Sequence, residues 1–220
     1  MRPEVEYPSN RLQTVAGKAL ASLCLAYAAV LGVGLLTLPS PDKQIQDPWF
    51  TLMEILILAI APAMVAFTVG IHSAASAERK PLALLGVIFM SMCAALTSSV
   101  HFAILTLSRQ PEMAATAWAG LVFSFTWPSV VYALDILAWD VFFPLGALFA
   151  AFAVPGTGRR RWVRQLLYAS SALAFLGLLG IPLANMNIRN VGIIGYVVLF
   201  PMAAALYGTT FKPSGTQGAT

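Results

Sequence analysis

Apolar residues along this chain come in blocks. Five runs, residues 18–38, 50–72, 82–107, 164–184 and 190–209, carry few charges, and each is long enough to cross about 30 Å of hydrocarbon at about 1.5 Å per residue of helix. They lack the alternation of barrel strands, so the pattern predicts transmembrane helices. Residues 114–154 are harder to read, because Pro128 and Pro144 interrupt an otherwise apolar stretch. That stretch holds either one crossing preceded by an interfacial or re-entrant piece, or two short crossings.

The lysines and arginines decide between these. With one crossing at 128–154, Arg2, Arg11, Lys18, Arg79, Lys80, Arg159, Arg160, Arg161, Arg164 and Lys212 share one face, ten of the 13 basic residues. Lys43, Arg109 and Arg189 remain on the other. A bias of that size places both termini in the cytoplasm, and a seventh crossing would export the RRRWVR cluster against the rule. The expected fold is therefore all-α: one polytopic bundle over 1–220 with six transmembrane helices, residues 114–126 interfacial or re-entrant before the fourth, and tails at 1–17 and 211–220. Trp49 and Trp127 would lie at the outer interface and Trp162 at the inner one. The expected location is a bacterial-type inner (plasma) membrane. The first run follows a charged segment as a signal peptide does, but it leads into TLPSPDKQ without a small-x-small cleavage site, so it is read as retained.

Composition agrees with this class. The 220 residues are 59% hydrophobic and only 10% charged, with a mean hydropathy of +0.78, whereas about a quarter of a soluble domain is charged. The net charge of +4 reflects residues beside the spans, so topology and anionic lipid explain it and nucleic acid is not an expected partner. Cys24 and Cys93 fall inside spans with no CxxC spacing and read as small buried apolar residues. No internal sequence repeat is visible.

The informative residues are the polar ones inside the spans, since an ionisable group in hydrocarbon needs a partner or a function. By helical rise, Glu54 lies about 6 Å below the outer end of span 2, His101 about 10 Å below that of span 3, and Asp135 about 12 Å below Trp127. Asp140 is deeper, about 20 Å from Trp127. Tyr132, Asp135 and Trp139 share a helical face, and α-helical spacing turns Asp140 about 140° from Asp135, toward a different partner. Thr97 and Ser98 lie near His101 and could orient its ring. Arg189 and Asn190 sit in the outer turn between spans 5 and 6, with Tyr196 below Arg189.

These parts suggest an outward-facing polar and aromatic pocket for a lipophilic small molecule. Asp135, His101 and Glu54 are the candidate acid–base residues. Trp127, Tyr132, Trp139, Asp140, Arg189, Asn190 and Tyr196 are candidate ligand contacts. Isomerisation or cyclisation needs no more than this, because a low dielectric tunes carboxyl acidity and aromatic rings stabilise developing cations. Two other readings compete: a proton- or ion-coupled transporter with Asp140 as the deep relay, and an accessory subunit whose polar residues only join helices, Glu54 pairing with Arg189 or Lys43 and Asp135 with His101. Membrane lipids are expected partners, and oligomerisation is left open. No cofactor follows from any motif: there is no P-loop, GxGxxG or GxSxG. Two histidines on opposite sides provide no zinc or iron site, and no lysine within a span could carry retinal.

Overall fold

A computed structural model describes residues 9–40 and 43–211. Arg2, Lys212 and most of the expected tails lie outside the described residues. Among the described residues six helices are long and apolar enough to cross a membrane: span 1, Arg11–Leu36; span 2, Trp49–Ala74; span 3, Lys80–Arg109; span 4, Val130–Ala153; span 5, Gly158–Gly180; and span 6, Met186–Gly208. The protein is an all-helical integral membrane bundle.

Successive spans run in opposite directions, so the bundle has two distinct ends. One carries Arg159, Arg160, Arg161 and Arg164 in the first turns of span 5 and is called here the basic end. The other carries the long link between spans 3 and 4 and is called the connector end. The helix of span 1 is already regular at Ser9, because its first turns pack on span 6. There Gly17 lies so close that a Cβ would come within 2.6 Å of the Ala204 carbonyl oxygen. Span 1 otherwise packs on span 2, span 3 lies between spans 2 and 4, and span 5 packs on both spans 4 and 6.

Spans 4 and 6 each contain a π-helical segment, Leu137–Phe142 and Ile194–Leu199. Each ends immediately before a Phe-Pro pair, Phe143–Pro144 and Phe200–Pro201. Proline has no N–H and its ring would collide with the carbonyl four residues back, and the wider turn relieves both problems. The Phe143 N–H accordingly bonds the Ala138 oxygen, and the Phe200 N–H bonds that of Gly195, each five residues back. Two adjacent serines of span 5 serve carbonyls of the two kinked helices: Ser171 Oγ donates to the Pro144 oxygen and Ser170 Oγ to that of Gly195, both at 2.8 Å. They act as ties between the spans.

The basic half of the core is filled by rings. Phe143, Phe200, Phe67, Tyr207 and Phe211 follow one another in edge-on contacts of 4.9, 5.5, 5.7 and 5.1 Å between centroids. Arg160 closes the column, its guanidinium 4.8 Å above the Phe211 ring.

Candidate functional site

At the connector end spans 1, 2 and 6 diverge, and the space between them is a cavity of about 690 Å³. Its apolar walls include Leu31 and Leu35 of span 1, Ile57, Ile60 and Met64 of span 2, and Ile193 and Val197 of span 6. Volumes of about 300–1,000 Å³ with a few convergent polar groups are usual for small-molecule sites. The link between spans 3 and 4 supplies one side. It contains only single helical turns, Pro111–Ala114 and Ala119–Val122, before Phe123, Ser124 and Phe125 reach the cavity. Ser129 fixes its end: the hydroxyl donates to the Ser124 carbonyl and accepts from the Tyr132 N–H, capping span 4.

One wall of the cavity is ionic. Glu54 Oε2 lies 2.7 Å from His101 Nδ1, joining spans 2 and 3. His101 Nε2 lies 3.7 Å from Asp135 Oδ1 of span 4, an ion-pair distance too long for a hydrogen bond, and is without a hydrogen-bond partner among the described residues. The other Asp135 oxygen accepts from an Arg189 terminal nitrogen at 2.6 Å, and Arg189 Nε donates to Asp140 Oδ2 at 2.8 Å. Five side chains from four spans thus form one row, Glu54–His101–Asp135–Arg189–Asp140. All five are buried, none more than 7% exposed. With His101 as imidazolium, three carboxylates face two cations.

Asp135 and Asp140 do not serve different partners, as α-helical spacing suggested; both hold Arg189. The reason is the π segment, in which i→i+5 bonding turns a five-residue interval into roughly one full turn. The turn-like sequence around Arg189 also proves misleading. The residue begins span 6 but is buried, with Tyr132 stacked 4.6 Å over its guanidinium. Glu54 pairs with His101 rather than with Arg189. Thr97 does not orient the imidazole; its hydroxyl lies 3.9 Å from Cys93 Sγ. Phe125 instead stacks on the ring at 5.3 Å while Glu54 holds Nδ1.

Of the candidate residues, Glu54, His101, Asp135, Trp139, Arg189, Asn190 and Tyr196 line the cavity. Trp139 and Tyr196, one from each π segment, have ring centroids 4.8 Å apart. Trp127, Tyr132 and Asp140 do not line it. Trp127 is half-exposed against Tyr132, and Tyr132 covers Arg189. Asp140 is fully buried behind Arg189, with Oδ1 lodged against Gly177 and Gly192, where a Cβ on either would lie 3.3 or 3.2 Å away. These small residues leave room for a carboxylate, not for a ligand. Sequence reading missed Tyr27 and Cys24, which bring span 1 into the cavity. A tyrosine within the run at 18–38 was the available signal.

Among the described residues no group of three or more His, Cys, Asp or Glu side chains could hold a metal ion. The fold and site define a six-span helical membrane protein with a cavity at one end and an ionic row in its wall. No protein-family model, curated protein or solved structure matches the chain.

Proposed function

We propose that the protein binds a lipophilic small molecule in this cavity and performs acid–base chemistry on it, of the kind that isomerises or cyclises an unsaturated chain. The observation that carries the reading is that Glu54, His101 and Asp135, from three spans, meet on one wall of an otherwise apolar cavity. Glu54 holds the imidazole at Nδ1, His101 serves as the acid, and Asp135 accepts a proton from the carbon beside the developing cation. One proton enters and one leaves, so the reaction consumes no cosubstrate. Trp139, Tyr196 and Phe50 line the cavity, and aromatic rings there favour a transient positive charge. Arg189 holds Asp135 in place and is itself held by Asp140. In this reading the connector end faces away from the cytoplasm, both termini are cytoplasmic, and residues 114–126 lie at the membrane surface as a cover, following the distribution of lysine and arginine.

The aromatic column supports a dead-ended cavity over a transport path. Beyond Asp140 the described residues of the basic half place this column of rings in the core, and the buried hydroxyls of Thr68, Ser170 and Ser171 are engaged with backbone carbonyls.

The test is the complement of small molecules that co-purify with the protein. Wild-type protein and Ile57→Trp, which fills the cavity, are isolated in mild detergent, extracted with organic solvent and compared by mass spectrometry. A hydrophobic species present with wild type and depleted in the variant is expected. Identical extracts from two equally folded proteins would remove the basis of the proposal.

A further inference from the structure

We infer that the ligand is a membrane lipid that enters sideways, its apolar chain passing between spans 1 and 6 while its polar end stays at the connector-end surface. The inference rests on the cavity being a site for a lipophile, as proposed above, and adds the ligand's source, its route and the way it lies.

The route follows from how the bundle closes. Spans 1 and 2, 2 and 3, 3 and 4, and 5 and 6 pack on one another. Span 4 meets span 6 through the Arg189 ion pairs and the Trp139–Tyr196 ring contact, with span 5 behind both. The seam between spans 1 and 6 changes along its length. In the basic half glycines bring the backbones together: Gly17 lies against the Ala204 carbonyl, and a Cβ on Gly208 would come 3.3 Å from the Thr14 oxygen. The extensive packing of span 1 on span 6 is confined to Phe200–Gly208. In the connector half Tyr27, Leu31 and Leu35 of span 1 and Ile193 and Val197 of span 6 line the cavity instead. Both spans lie at the perimeter there, with Leu35, Ile194 and Val198 exposed, so the parted seam borders hydrocarbon. The connector end, in contrast, is bridged by its links. Gln44 Nε2 donates to Thr126 Oγ1 at 2.8 Å, tying the link between spans 1 and 2 to that between spans 3 and 4, and the Ile45 side chain lies against Gly34.

The lips of the seam choose what passes. Leu31, Leu35, Ile193 and Val197 carry no charge, so an apolar chain slips between them, whereas an ionised group would have to shed its water in hydrocarbon. Lys43, Gln44, Ser124 and Asn190 gather at the connector end, where a polar end finds partners without leaving the membrane surface. Along span 2 the lining runs from Phe50 to Met64, about 21 Å of helix, with Glu54 about 6 Å from its shallow end. Cys24 and Phe200 line the deep end with Met64. The ligand therefore lies parallel to span 2, head shallow and chain deep. The ionic row then faces the upper part of the chain rather than the head, which leaves the acid–base residues free to act on a carbon.

A photoactivatable lipid tests this. The full chain is placed in nanodiscs of phosphatidylcholine that carries a diazirine at the end of one acyl chain, and after irradiation the labelled residues are located by mass spectrometry. Met64 is 1% exposed and Ile60 5%, and both line the cavity, so a chain inside it is what reaches them. Leu25, 73% exposed, reports ordinary lipid contact. Wild type should carry label on Met64 and Ile60 as well as on Leu25. That inner label should be lost in Ile193→Trp, which narrows the seam, and unchanged in Thr126→Ala, which unties the links. Label on Leu25 alone overturns the lipid route; the lipophile cavity then stands if Ile57→Trp still depletes a co-purifying species, and falls with the route if it does not. Inner label that rises in Thr126→Ala and ignores Ile193→Trp also overturns the route, because the chain then comes over the top. The first comparison uses wild-type protein, so it does not depend on a variant folding.

Discussion

Replacing Arg189 with methionine tests whether the ionic row is one unit. The guanidinium donates to Asp135 at 2.6 Å and to Asp140 at 2.8 Å, with side-chain exposures of 9, 11 and 0% for the three residues. Arg189→Met leaves two buried carboxylates without their shared cation. Asp135 retains only the distant His101, and Asp140, whose Oδ1 already lacks a hydrogen bond, retains nothing. Removing one partner of a buried pair costs about 3–5 kcal/mol, a large share of a native stability of about 5–15 kcal/mol. The cost lies in the orphaned charge, so a second substitution that neutralises it should recover stability. Asp140→Asn keeps the shape that fits between Gly177 and Gly192. The double variant should therefore be about 1–2 kcal/mol more stable than Arg189→Met alone, a coupling within the range found for contacting residues. Reversible unfolding in bicelles, followed by tryptophan fluorescence, measures all four corners of the cycle. An Arg189→Met protein within 1 kcal/mol of wild type, or strictly additive losses, would refute the idea that a single arginine neutralises both aspartates.

Three further outcomes check the frame around the site. Gly195→Ala puts a Cβ 2.6 Å from the Ser170 carbonyl oxygen, a contact with backbone that cannot swing aside, and should cost about 1–3 kcal/mol in thermal unfolding of the nanodisc-embedded protein. Ser171→Ala removes the donor to the Pro144 carbonyl and should cost about 1 kcal/mol by the same measurement. At the connector end, the Thr51 hydroxyl donates to Asp47 and, with Arg109 alongside, holds that carboxyl below the usual carboxylate range. A depressed pKa stabilises the fold above the ordinary carboxylate value and loses that contribution as pH falls through the folded-state value. Asp47→Ala should thus lower the melting temperature slightly at pH 7, by less than about 1 kcal/mol for so exposed a pair, and converge with wild type in acid.

The spans were legible because hydrophobic run length reports directly on bilayer thickness, and Lys and Arg counting was enough to reduce 114–154 to one crossing. Glu54, His101 and Asp135 were legible as neighbours for a similar reason: depth along a helix is linear in sequence. Rotation about the helix is not, and there the reading failed. The angle between Asp135 and Asp140 was taken from an α-helical wheel, while the structure widens a turn between them. The Phe-Pro pair after each widened turn was the signal, and it becomes interpretable only when the two spans are compared. Arg189 was misplaced because NMNIRN reads as a surface turn, and nothing local reveals that Tyr132 and two carboxylates of another span will enclose it. The cavity itself depends on span 1 leaning away from span 6 at one end, a packing relation that no single segment encodes.

The two widened turns also bear on how such a protein can change over time. A π turn amounts to one extra residue in an α-helix, and removing it would rotate everything on one side by about 100° relative to the other. Spans 4 and 6 therefore each behave as two rotors joined by a clutch, with the serines of span 5 holding the setting. The basic-end rotors are geared to the aromatic column, and the connector-end rotors carry Asp135, Arg189 and Asn190. A lineage can retune the connector end by sequence drift in one rotor while the other keeps its packing.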